Sequence, residues 1–203
     1  LVSFALSAVV GIPLILKAGL PVLWLGLIGF VSGFFYTAPP FRFASWKGMG
    51  ELLIGLNFGP LMVAGSALVQ TGKLLPEAFL AGIPIGFLVA AIVYINEFPD
   101  HNSDKATGKN TLIVVFGPEK ARIGYVLLIA GAFVSIVVMA LNGTFPMLSM
   151  IALAACYFGV KAIQTLYQYY DNRLLKPANA GTINMHFVAG ILFCIGIWLG
   201  TPV

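Results

Sequence analysis

Charge is what this sequence has least of. Of 203 residues, 11 are lysine or arginine and 7 aspartate or glutamate, 9% in all, where an ordinary soluble domain carries about 25%. So few charges cannot solvate the surface of a chain this long, which excludes a soluble globule. Cysteine is scarce as well. Cys156 and Cys194 lie singly inside apolar runs, which excludes a disulfide framework and a paired-thiol metal site and leaves two small hydrophobes. What is abundant is apolar surface, at 60% of residues. The net charge of +4 would suggest nucleic acid in a soluble protein; here lysine and arginine record membrane orientation, and no nucleic-acid partner follows.

Crossing a bilayer takes about 20 mainly apolar residues, because the hydrocarbon core is about 30 Å thick and a helix rises about 1.5 Å per residue. Seven segments meet or approach that length: 1–16, 20–38, 52–69, 78–95, 123–141, 146–166 and 183–200. The predicted fold class is all-α, a polytopic membrane helix bundle in which residues 1–203 form one transmembrane domain in the lipid bilayer. The first segment opens without an initiator methionine or a basic stretch, so it reads as the remainder of a longer helix and the domain is expected to be incomplete at its N-terminus. Alternate connections fall on opposite sides. Arg42, Lys47, Lys105, Lys109, Lys120, Arg122, Arg173 and Lys176 then share one side, and Lys17 and Lys73 the other, which predicts that the first side is cytoplasmic. Lys161, inside the sixth segment, is expected to snorkel toward that side. Gly55, Gly59, Ala64 and Gly65 would allow close helix contact, and Asn57 reads as a hydrogen bond between helices.

Polar residues gather where the apolar runs break. In 96–112, after the fourth segment, Asn96, Asp100 and Asp104 recur every four positions, so a helical continuation would project their oxygens from one face, drifting about 40° per step. Such a face can hold magnesium, which takes carboxylate and water oxygens and shares itself with a substrate phosphate. Lys105 and Lys109 follow, offering cations to the same anion. The bland alternative is a solvated loop whose charges enforce topology. His101 reads as an exposed loop histidine. The stretch 36–51 is too rich in proline and glycine for one continuous helix, and Glu51 and Asn57 after it are six residues apart, off a common helical face. Asp171, Arg173, Lys176 and Asn179 precede Asn184 and His186, which are expected at the same aqueous mouth.

At these residues the chain resembles the UbiA superfamily of intramembrane aromatic prenyltransferases, over nearly its whole length. Asn96-x-x-x-Asp100-x-x-x-Asp104 followed by Gly108-Lys109-x-Thr111-Leu112 is similar to the family's second aspartate-rich motif with its trailing Gly-Lys-x-Thr. Tyr36-Thr37-Ala38-Pro39-Pro40, Gly48-x-Gly50-Glu51, Phe58-Gly59-Pro60 and Gly65 to Gln70-Thr71-Gly72 look most like the branch acting on 1,4-dihydroxy-2-naphthoate in menaquinone synthesis. Three departures stand out. The family's first aspartate-rich motif has no counterpart, so seven of nine expected helices are present. Pro40 stands where a basic residue is expected, and Asn110 where arginine is common.

The resemblance implies a magnesium-dependent prenyltransferase whose partners are a prenyl diphosphate and an aromatic acceptor. It assigns Asp100 and Asp104 to magnesium and catalysis, Asn96 to supporting the metal, Lys105 and Lys109 to the diphosphate, and Tyr36, Arg42, Asn184 and His186 to the substrate mouth. Other acceptors used in the superfamily, such as hydroxybenzoate or a glycerol-phosphate lipid, stay open. So do a transporter and a non-catalytic scaffold, although a midplane transport site would need charge that this chain carries at one membrane edge.

Overall fold

The computed structural model describes residues 2–201; Leu1, first in the first expected segment, lies outside it, as do the side chains of Phe4 and Arg173. The helices are α1 (Val2–Ala18), α2 (Leu20–Thr37), α3 (Met49–Thr71), α4 (Pro76–Ala106), the short α5 (Leu112–Phe116), α6 (Pro118–Leu141), α7 (Met147–Tyr169) and α8 (Lys176–Gly200). Among them α2, α3, α4, α6, α7 and α8 are long and apolar enough to cross a bilayer. The first expected segment forms α1, an apolar helix of 17 described residues with about 25 Å of rise. Large apolar side chains remain exposed along every spanning helix, as a hydrocarbon solvent permits.

The core lies between α4, α6, α7 and α8. Leu88, Ala91 and Ile95 of α4 meet Ala132 and Ile136 of α6, Ala155 and Leu166 of α7, and Met185 and Ala189 of α8, all fully or nearly fully buried. Three buried hydroxyls are satisfied inside it, whereas that of Ser149 has no hydrogen-bond partner among the described residues. Tyr94 donates to the Ala121 carbonyl at 2.9 Å, and Tyr125 shares a 2.5 Å hydrogen bond with Thr182, whose hydroxyl also reaches the Ala178 carbonyl at 2.7 Å. Cys156 and Cys194 are both free thiols.

Two helices depart from regular geometry for local reasons. In α3 a π turn at Asn57–Leu61 takes up the missing N–H of Pro60. There Asn57 Nδ2 donates to the Leu53 carbonyl at 2.7 Å and its Oδ1 accepts from Ser32 of α2 at 3.0 Å, the hydrogen bond between helices expected of it. The turn also seats α3 on α4 with almost no gap. A Cβ on Gly59 would stand 2.5 Å from the Gly82 carbonyl oxygen, and one on Gly86 2.5 Å from that of Gly55. The first half of α7, Met147–Ala155, is 3₁₀ and lies against α8 so closely that a Cβ on Gly196 would meet the Leu148 carbonyl at 2.5 Å. Lys161 does not snorkel outward. Side chains on a helix lean toward its N-terminus, and its ammonium sits 4.5 Å over the Tyr157 ring one turn back.

Helix order puts the connections 38–48, 107–117 and 170–175 at one end of the bundle, and contacts between them confirm it. Asn110 donates to the Ser45 carbonyl at 3.2 Å, and Arg122 donates to the Tyr167 carbonyl at 3.2 Å while lying over the Tyr167 and Tyr170 rings.

Candidate active site

The helix of α4 runs on past its apolar stretch through Pro99 to Ala106, so the residues from 96 to 104 stand on helical backbone and not in a solvated loop. Asn96, Asp100 and Asp104 therefore share a face at the end of α4. Asn96 is exposed and accepts a hydrogen bond from Asn179 of α8, tying that face to a second spanning helix. Asp100 is exposed; Asp104 is half-buried and forms an ion pair with Lys109 at 3.1 Å. The helix stops there because Thr107 closes its last turn and Gly108 takes a left-handed φ of 73°, after which the Lys109 amide returns to the Asp104 carbonyl at 2.9 Å. His101, expected as an exposed loop residue, is half-buried on α4, with no hydrogen bond to Nδ1 among the described residues.

Below this face are residues whose role the sequence did not announce. Glu51 of α3 and Glu97 of α4 are each 5% exposed, with their carboxyl groups in electrostatic reach of one another. Glu51 Oε1 accepts from the Leu112 backbone N–H at 3.1 Å, whereas Glu97 Oε2 is buried without a partner among the described residues. Tyr36 lies in electrostatic reach of both carboxylates and of Asp104, its hydroxyl over Gly50. The signal for Glu51 was its place beside Gly50 in a run without other acids; for Glu97 it was the step of one residue from Asn96, which turns it to the inner side of α4.

Two cavities flank α3. One of about 490 Å³ lies between α3, α4 and α6, headed by Gly48, Glu51, Tyr94 and Leu112 and otherwise lined by apolar groups down to Pro60 and Ile83. From residue 48 to 60 it follows α3 for about 18 Å. The other, of about 350 Å³, lies between α2 and α3, where Ser32, Tyr36 and Asn57 are the polar lining.

Not every expected residue joins the cluster. Lys105 is exposed on the last turn of α4. Arg42 is exposed at the start of a 3₁₀ turn, Phe43–Ser45, and among the described residues it alone other than glycine has a positive φ, 46°. Asn184 and His186 are not at the mouth. The helix α8 begins at Lys176, so they lie about 12 and 15 Å along it, Asn184 exposed and His186 half-buried.

The donor set at the end of α4 suits a hard cation: two carboxylates and an amide oxygen, no thiolate. Among the described residues no three His, Cys, Asp or Glu side chains converge tightly enough to enclose a metal ion. A magnesium ion would fit such an open site with water and substrate oxygens completing its shell.

The family model described as the UbiA prenyltransferase family matches residues 1–191. The chain belongs to that family. It is similar to the 1,4-dihydroxy-2-naphthoate octaprenyltransferase of Escherichia coli (strain K12), with 29% identity covering 86% of this chain and 56% of that protein. The protein of the same name in Bacillus subtilis (strain 168) is 27% identical, covering 97% of this chain and 63% of its own length. The human UbiA prenyltransferase domain-containing protein 1 is 25% identical over 84% of this chain and 48% of its own. The chain thus spans about half to three-fifths of the length of these relatives. Its fold is similar to that of a UbiA homolog from Archaeoglobus fulgidus solved with Cd2+, with a TM-score of 0.58 and 20% identity over 94% of this chain and 70% of that one. With six membrane-length helices among the described residues, this UbiA-family chain is a multi-pass membrane protein.

Proposed function

We propose that this protein transfers a polyprenyl group from a prenyl diphosphate to a hydroxylated aromatic acceptor of the 1,4-dihydroxy-2-naphthoate kind, in membrane quinone or lipid synthesis. The observation that carries this reading is the Asp104–Lys109 pair beside the head of an apolar cavity long enough for a chain. The names of the two bacterial relatives support the acceptor class. In this reading residues 1–203 act as one helical domain of the nine-helix family architecture, and Asp100–Asp104 is one of two acidic motifs around the diphosphate, as the resemblance implies.

Asp100 and Asp104 would hold magnesium, with Asn96 in support; the ion supplies positive charge that stabilises the departing diphosphate. Lys109, paired with Asp104, would meet the diphosphate, and Lys105 on the last turn of α4 would add a second cation. Tyr36 and Arg42 would serve the substrate mouth, as the resemblance implies. As the allylic carbon–oxygen bond breaks, the apolar walls keep water from the cation until the electron-rich ring attacks it, forming the carbon–carbon bond and losing a ring proton. Asn184 and His186 stand deeper, on α8. In this reading the end bearing 38–48 and 107–117, which carries the lysine and arginine excess, faces the cytoplasm.

Asp100→Asn and Asp104→Asn in the full-length protein test the reading. Each keeps the side-chain shape and removes one negative charge, so prenyl transfer should fall by about two to three orders of magnitude while the protein stays folded. Near-normal rates in both variants across a magnesium titration would end the metal assignment.

A further inference from the structure

The segment bearing Lys109 is pinned from a direction its own helix does not supply. Leaving α4 at Gly108, the chain passes Lys109, Asn110 and Thr111 before α5 begins at Leu112. Three contacts from the 45–51 stretch catch it. Asn110 Nδ2 donates to the Ser45 carbonyl at 3.2 Å, the Leu112 side chain covers Gly48, where a Cβ would stand 3.0 Å from it, and the Leu112 amide donates to Glu51 Oε1 at 3.1 Å. Gly48 has a φ of 73°, so a side chain there is opposed by backbone as well as by Leu112. Thr111, 1% exposed, accepts from the Val114 amide at 3.4 Å and so starts α5 at that point.

A carboxylate buried in a spanning helix is expensive and marks function by default. Glu51 touches the motif through one backbone amide three residues beyond Lys109. A hydrogen bond from a backbone amide to a carboxyl oxygen is short-ranged and directional, and suits fixing a backbone position. The same Glu51, Gly48 and Leu112 head the apolar cavity. Moving this contact would move the lysine and the cavity head together.

We propose that Glu51 is a positioning residue: by holding the Leu112 amide it fixes the 108–112 turn, and with it Lys109, against the diphosphate end of the cavity. The role assigned to Lys109 rests on the prenyl diphosphate reading; the clasp itself does not. The test uses the full-length protein with Glu51→Gln, Glu51→Leu and Asn110→Ala, each read by amide hydrogen exchange of the 108–112 segment, by melting temperature, and by steady-state kinetics with a prenyl diphosphate and 1,4-dihydroxy-2-naphthoate. Glutamine keeps an acceptor oxygen, so Glu51→Gln should stay within about 3-fold of the parent in exchange and in KM for the diphosphate. Glu51→Leu should speed exchange of 108–112 about 10-fold or more and raise KM for the diphosphate about 10-fold, with KM for the acceptor within about 2-fold. Asn110→Ala should do the same more weakly, which keeps the idea testable should the leucine variant fail to fold. Unchanged exchange in a folded Glu51→Leu protein, or equal changes in both KM values, would overturn the proposal. A parent protein without prenyl transfer would instead overturn the functional reading, and the exchange data would still decide the clasp.

Discussion

Glu97 shows how much one residue's offset matters. Asn96 faces outward and meets Asn179, whereas Glu97, about 100° around the helix, turns inward beside Glu51 with one oxygen unpartnered among the described residues. Two acids side by side can offer each other lone pairs more readily than donors. Glu97→Gln supplies an N–H at the same place and volume, so the protein should gain about 1 kcal/mol. A rise of a few degrees in melting temperature in detergent would show it; a fall would mean that the Glu97 carboxyl has a partner these contacts do not reveal. The outward face of α4 was legible in the sequence because its spacing of four matches the helical period. The inner pair was not, since Glu51 and Glu97 are 46 positions apart and meet only because glycines bring α3 onto α4.

At the scale of the elements, the seat of α3 on α4 is backbone against backbone. The sequence pointed to Gly55 and Gly59 as small residues able to pack, without saying on what; Gly82 and Gly86 of α4 are the partners. Gly59→Ala would drive a methyl into the Gly82 carbonyl and the Gly86 Cα, each 2.5 Å from the new Cβ, so the helices must part. Overpacking of this kind costs about 1–3 kcal/mol or more. Gly26→Ala, on α2 with nothing within 4 Å, should be neutral or gain up to about 1 kcal/mol through helix propensity. Comparing the two melting temperatures checks the contact. Neither the π turn of α3 nor the 3₁₀ half of α7 could be read ahead. Both answer to where a neighbouring helix lies, and apolar runs are equally apolar in every helical form.

For the whole molecule, the all-α membrane bundle was legible because length and hydropathy alone decide what spans a bilayer. The charge asymmetry yields a test of orientation that does not involve chemistry. Cysteines introduced at Ser45 and Ser103 should react with an impermeant thiol reagent from the cytoplasmic side, and one at Thr144 from the opposite side, after Cys156 and Cys194 are replaced. Labelling of positions 45 and 144 from one side would break the arrangement, since an odd number of spanning helices separates them: α3, α4 and α6.

The π turn of α3 has a mechanical side. Leu52, Gly55, Leu56 and Pro60 line the larger cavity while Leu53, Ile54, Asn57 and Phe58 line the smaller, so α3 is a partition one helix thick between two chambers. A π turn carries one residue more than an α turn of the same height, and ironing it out would rotate the chain beyond it by about 100°. Which side chains each chamber sees is therefore set by where that surplus residue is parked. Pro60, the Asn57–Ser32 hydrogen bond and the glycine seat on α4 act as the detent that parks it.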